Sequence, residues 1–230
     1  MTKSYDVWWQ KGQESDDDMA RDHQEAWERT IEMLDTSDIK GNTILDVGCN
    51  QGGFLRKLYD TTPFKEGVGI DLARLSLEKA ETLKGERPLT YYLTDKPQET
   101  NRTFDTAVST SVLYLIEDIP QHAQDLKEVL KPGGVYYASF ADLTNNPSRQ
   151  FMDDTINQYG ATPSQNHSLK HIVDSFVDAG FEVAVMKEPV PDVIDLTHYS
   201  DFYLSPNDYL QTLYEESFLI KASVKEGIGK

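Results

Sequence analysis

Gly48, Gly52 and Gly53 fall within the six residues that follow the β-branched run Thr43-Ile44-Leu45-Asp46-Val47, and Asp71 closes the next such run, Gly67-Val68-Gly69-Ile70-Asp71. A glycine turn between a strand and a helix lets backbone N–H groups and the positive helix end approach an anionic ligand group, because no Cβ intervenes. A carboxylate ending the second strand accepts hydrogen bonds from both hydroxyls of a ribose. Together these residues suit an adenosine-containing ligand. Asp95 after a third apolar run, Thr90 to Thr94, and Lys131-Pro132-Gly133-Gly134 ahead of Val135 to Phe140 extend the set. Each feature alone is an ordinary turn or surface acid; their order and spacing carry the reading.

Strands must alternate with helices for those residues to meet. Phe54 to Tyr59 has helical spacing, and so has Leu75 to Leu83, with Leu75, Ala80 and Leu83 expected to pack inward. Phe104 to Ser109 reads as the fourth strand. A helix over Gln121 to Leu130 is expected to stop at the Lys-Pro-Gly-Gly turn, with the fifth strand beginning at Val135. Ser148 to Tyr159 carries Phe151, Met152, Thr155, Ile156 and Tyr159 on one stripe, the pattern of a lid helix. Ser168 caps a helix bearing Leu169, Ile172, Val173, Phe176 and Val177, which ends at Gly180; Phe181 to Met186 and the alternating Ser217 to Val224 follow as strands. Ahead of all this, Met19, Ala26, Trp27, Ile31 and Leu34 predict a helix from Ser15 to Leu34, with Ser15 and Asp18 as its capping pair. The expectation is one α/β domain over residues 1–230, with a helical extension at 1–38 and insertions at 142–167 and 188–216 that form a lid or acceptor site.

Leu45-Asp46-Val47-Gly48-Cys49-Asn50-Gln51-Gly52 resembles the first motif of class I S-adenosylmethionine-dependent methyltransferases, and Leu130-Lys131-Pro132-Gly133-Gly134 resembles their Leu-Lys-Pro-Gly-Gly turn. The likeness covers about Ile39 to Phe140. It implies a doubly wound, mostly parallel seven-stranded sheet of order 3-2-1-4-5-7-6, the last strand antiparallel, with helices on both faces. It also implies that Gly48 and Gly52 lie beside the methionine part of S-adenosylmethionine, that Asp46 orders the loop and that Asp71, next to Leu72, holds the ribose. Asp95 would approach the adenine amino group, and Ser109 and Thr110 would border the methionine part. Family members usually carry glycine where this chain has Asn50, a residue that tolerates left-handed backbone angles. Cys49 is expected as a small residue packed under the cofactor loop. Tyr114, where relatives often have histidine, is either a general base or an aromatic wall. Trp9, with Trp8, either folds over the cofactor or anchors the first helix.

The formal net charge of −17 repels phosphate-rich partners, so DNA is not expected. The expected partner is a small-molecule methyl acceptor, with protein or tRNA as alternatives, and the chain is expected as a monomer or homodimer that leaves S-adenosylhomocysteine as product. A single cysteine and an N-terminus without an apolar signal core point to a cytoplasmic protein, and no apolar run reaches membrane-spanning length. His23, His122, His167, His171 and His198 lack metal-ligand spacing and read as surface or packing residues. Two rival readings are a nicotinamide-dependent oxidoreductase and a non-catalytic module. The first is opposed by the Gly-x-x-x-Gly-Gly spacing, the second by keeping Asp46, Gly48, Gly52 and Asp71 together.

Overall fold

A computed structural model of the chain describes residues 4–11, 21 and 23–225. Ser15, Asp18 and Met19 of the expected first helix lie outside the described residues; its described part, α1, runs Gln24–Met33 and is followed by a single turn, α2, at Thr36–Ile39. The alternating core then follows as β1 (Thr43–Val47), α3 (Gly53–Thr61), β2 (Glu66–Asp71), α4 (Arg74–Leu83), β3 (Leu89–Leu93), β4 (Phe104–Ser109), α5 (Ile119–Val129) and β5 (Leu130–Ala141). After it come α6 (Arg149–Tyr159), α7 (Leu169–Asp178), β6 (Phe181–Lys187), α8 (Pro206–Gln211) and β7 (Ser217–Val224). The strands form one sheet of order β3-β2-β1-β4-β5-β7-β6, in which β7 runs antiparallel to both β5 and β6.

Alternation along each strand gives the sheet two buried faces. Leu45, Val47, Val68 and Ile70 pack with Leu126, Ile172 and Phe176 on one side, whereas Ile44, Val108 and Tyr137 pack with Ile31, Leu55 and Leu58 on the other. This double coverage is what a parallel sheet requires. Ser168 caps α7 by accepting from the His171 N–H, as its position in the sequence predicts.

Two local expectations fail for geometric reasons. Leu75 and Leu83 are exposed, and α4 buries Ser76, Leu77 and Ala80 instead. Residues 75 and 80 are five apart, roughly 140° around a helix, so they cannot share its inner face. The Lys-Pro-Gly-Gly segment is not a free turn: α5 stops at Val129, Leu130 already pairs with Phe104, and the strand register jumps between Phe104 and Thr106. Gly133 takes φ +77°, and a Cβ on Gly134 would sit 2.8 Å from the Lys131 carbonyl oxygen. The glycine pair therefore makes a bulge at the entrance to β5.

The two insertions are fastened to each other. Asn146 Nδ2 donates to the Asp208 carbonyl (2.9 Å), Thr212 Oγ1 (3.0 Å) and Glu216 Oε2 (2.8 Å), and the Leu204 N–H donates to Ser148 Oγ (2.8 Å). Beneath the tip of β4, Ser109 Oγ, Tyr136 Oη and His122 Nε2 form a buried chain, with separations of 2.5 and 3.1 Å. Burial holds His122 down to a pKa of about 4, against 6.5 for an ordinary imidazole. The unfolded chain takes up this proton near pH 6.5 and the folded chain only near pH 4, so the folded state loses about 3 kcal/mol across that window as pH falls. Urea denaturation between pH 7 and 4 should show that loss, and His122→Phe should remove it from the profile.

Candidate functional site

At the carboxyl ends of β1, β2 and β4 the chain opens into a cavity of about 1320 Å³. Its floor is the loop after β1, which passes through three left-handed residues: Gly48 (φ +75°), Asn50 (φ +46°) and Gly52 (φ +67°). Asn50 tolerates this with a local bond, its Oδ1 accepting the Gln51 N–H at 2.7 Å. Asp71 fixes the loop from the neighbouring strand: Oδ2 accepts from the Asn50 N–H and Oδ1 from the Ala73 N–H, both at 2.8 Å. An ionised carboxylate accepts about four hydrogen bonds, so Asp71 can hold this loop and meet a ligand at once. The Ile70 carbonyl receives the Gly48 and Cys49 N–H groups at 2.9 and 3.1 Å.

Asp46 faces the same cavity and is 1% exposed, and its Oδ2 has no hydrogen-bond partner among the described residues. Burial, and then the nearby Asp71, push this carboxyl well above the usual carboxylate range. Cys49 packs against Gly69, where an added Cβ would come within 2.6 Å of its sulfur, and burial likewise pushes its thiol up. It is a packing residue, and its raised pKa disqualifies it as a nucleophile.

The far half of the cavity is built by the insertions and by the N-terminal segment. Tyr5 bridges to the start of α4, its N–H reaching the Leu72 carbonyl at 3.0 Å, and Trp9 bridges to Gly160 after α6. Residues 4–11 thus form a strap between the β2 edge and α6, with Trp8 and Trp9 stacked 5.3 Å apart. The Trp9 ring also meets Tyr159 and Phe202. Trp27, rather than the Trp8–Trp9 pair, anchors α1, filling the space beside Gly53. His167 lines this half; its Nε2–H donates to the Ile116 carbonyl at 2.7 Å, and burial, His171 and Arg149 hold its pKa below the usual value.

A methyltransferase-domain family model matches residues 45–136. The tRNA U34 carboxymethyltransferase of Hydrogenovibrio crunogenus is 34% identical over 117 residues, which cover 47% of this chain and 34% of that protein. An uncharacterised methyltransferase of Schizosaccharomyces pombe is 30% identical over 63% of this chain and 60% of its own length. The chain therefore spans about a third to three fifths of these relatives. Among solved structures, one from a complex between the Haloferax volcanii Trm112 methyltransferase activator and a methyltransferase superposes with a TM-score of 0.72 at 18% identity, covering 92% of this chain and 96% of that one. An S-adenosylmethionine-dependent methyltransferase from Listeria monocytogenes gives 0.66 at 18%, covering 87% and 96%. Residues 45–136 are those of a methyltransferase domain, and the chain shares the fold of the S-adenosylmethionine-dependent methyltransferases it superposes on.

The cavity is lined by Trp9, Asp46, Gly48, Cys49, Asn50, Asp71, Leu72, Asp95, Thr110 and Tyr114 among the residues singled out from sequence. Gly52 and Ser109 are the exceptions. Ser109 is buried behind the β4 tip, where its hydroxyl holds Tyr136. Gly52 turns toward the sheet, and the reason it lacks a side chain differs from the expected one: a Cβ there would lie 2.3 Å from Tyr91 Oη. At Gly48 the same space is filled by Val112, 2.5 Å from an added Cβ. These glycines are bare because the protein's own side chains pack against them. Asp46 does not order the loop through Oδ2, since that oxygen is unpartnered; Asp71 does.

Tyr114 lines the cavity, and burial pushes its hydroxyl well above the usual phenol range. His167, read from sequence as a surface or packing residue, lines the cavity as His23 and His122 also do, with its pKa lowered and its tautomer set by a backbone carbonyl. Nothing in its spacing announced that role, because Ile116 and His167 are 51 residues apart. Gly52→Ala should destabilise the domain by about 3 kcal/mol, combining a left-handed backbone with overpacking. Denaturation of the Gly52→Ala, Tyr91→Phe double variant should recover part of that loss, as Tyr91 Oη is the nearest obstruction.

Proposed function

We propose that this domain transfers the methyl group of S-adenosylmethionine to an oxygen, nitrogen or carbon of a small molecule. The observation that carries the reading is the Asp46 oxygen without a partner among the described residues, at the tip of β1 near Asp71 at the end of β2. Burial drives Asp46 toward its neutral form, and a ligand bringing positive charge to that place reverses the preference. The sulfonium and ammonium groups of S-adenosylmethionine fit that requirement, and neither is present in NAD at an equivalent place. Asp71 and Asp95 are the residues to hold the ribose and adenine, with Gly48, Cys49, Asn50, Leu72 and Thr110 as the surrounding wall. The bound cofactor supplies a methyl group on sulfur that leaves by in-line displacement.

The protein's own task is then to hold a nucleophile in line and exclude water. The Trp8–Trp9 strap and the two insertions supply the excluding wall, and His167 is the group positioned to take a proton from an acceptor that must lose one. The cavity exceeds the roughly 300–1,000 Å³ that suits one drug-sized ligand, which supports two ligands side by side.

A tRNA acceptor is the second reading, favoured by the identity to tRNA U34 carboxymethyltransferases. The net charge of −17 opposes it. Tritiated S-adenosylmethionine incubated with the protein and either total tRNA or a small-metabolite extract separates the two, and label in the low-mass fraction is the expected result. In calorimetry, S-adenosylhomocysteine should bind and NAD should not. Asp71→Ala should weaken that binding by about a hundredfold, the loss of two charge-assisted hydrogen bonds. Unchanged affinity would remove Asp71 from the ribose site.

A further inference from the structure

The methyltransferase reading leaves the acceptor's chemistry open, and one face of α6 addresses it. Arg149, Met152, Asp153 and Ile156 all line the cavity, the i, i+3, i+4, i+7 spacing of a single helical stripe. The stripe is polar at its start and apolar toward its end, where Tyr159 and Gly160 meet the Trp8–Trp9 strap.

Arg149 is the unspent charge of that stripe. Its Nε lies 3.4 Å from Asp153 Oδ2, and its side chain is only 21% exposed. The two terminal nitrogens, the pair that grips a carboxylate end-on, make no hydrogen bond to any described residue. Asp153 is already engaged, its other oxygen accepting from Ser164 Oγ at 2.7 Å. Asp153 therefore offsets the charge of a half-buried guanidinium while leaving its fork open.

Lys11 pairs with Asp201 at 3.5 Å and sits 5.5 Å over the Tyr159 ring. Burial raises the pKa of Glu188. His167, close enough to feel the Arg149 charge, contributes a neutral imidazole.

We propose that the methyl acceptor is an amphiphilic carboxylate, its anionic end gripped by the Arg149 fork and its apolar body lying along Met152 and Ile156 toward Trp8 and Trp9. The run from Arg149 to Gly160 is roughly 16 Å at helical rise, which suits a fused ring system or a chain better than a single ring. This inference rests on the methyltransferase assignment and adds the acceptor class to it.

Two acids, 6-hydroxy-2-naphthoate and 12-hydroxydodecanoate, and their primary amides serve as probes, titrated calorimetrically into protein saturated with S-adenosylhomocysteine. At least one acid should bind roughly tenfold tighter than its amide or better, as expected for a charge-assisted pair. Arg149→Gln should abolish the preference, Arg149→Lys should keep part of it, and both should bind S-adenosylhomocysteine as the parent does and melt at a similar temperature. The proposal is overturned if neither acid binds, if acids and amides bind alike, or if the preference survives in Arg149→Gln. It is also overturned if Arg149→Gln loses S-adenosylhomocysteine affinity, since Arg149 would then belong to the cofactor's own carboxylate. Failure of the unsubstituted protein to bind S-adenosylhomocysteine would instead sink the methyltransferase reading, and the acceptor class with it.

Discussion

The Asp71 carboxylate is the tie on which the site depends. One oxygen holds the loop after β1 through Asn50, and the other holds the start of α4 through Ala73. Two neighbouring strands thus present their ends at a fixed separation, and the left-handed residues at 48, 50 and 52 have somewhere to be held. Beside this bridge the loop is also held by the Ile70 carbonyl and by Arg56, which donates to the Gln51 carbonyl. A charged acceptor serving backbone donors at the sheet edge is also the group best placed to answer polar ligand atoms arriving at the same edge.

Electrostatics divides the cavity into two regimes. Around β1 and β2, two close carboxyls and deep burial make the site receptive to positive charge, and Asp46 is held toward neutrality until such charge arrives. Along α6, the acids are already matched to Lys11, Ser164 and Arg149, and the exposed valence is that of the guanidinium. A donor that carries cationic sulfur and an acceptor that carries an anion would sort themselves between these ends by charge alone.

The alternating core was legible because β-branched runs, a glycine turn and acids at strand ends recur with a fixed order, and Asp71, Asp95, Thr110 and Asn50 do line the cavity. The sheet order rests on the family resemblance, since periodicity does not specify which strands are neighbours. What could not be read was set by contacts between distant segments. The exclusion of Gly52 depends on Tyr91, the burial of Ser109 on Tyr136, and the state of His167 on Ile116. The Lys-Pro-Gly-Gly stretch misled for a different reason: its composition is that of a turn, yet the pairing of Leu130 with Phe104 draws it into the strand as a bulge.

Asn146 reaches Asp208, Thr212 and Glu216 across more than 60 residues of chain, and Ser148 adds its own link to Leu204. The two segments that build the far half of the cavity are thereby clasped to one another. Substitutions within that clasp can remould one mouth of the cavity while the end at β1 and β2 keeps its form. A platform built this way can change clientele over evolutionary time without relearning how to hold its donor.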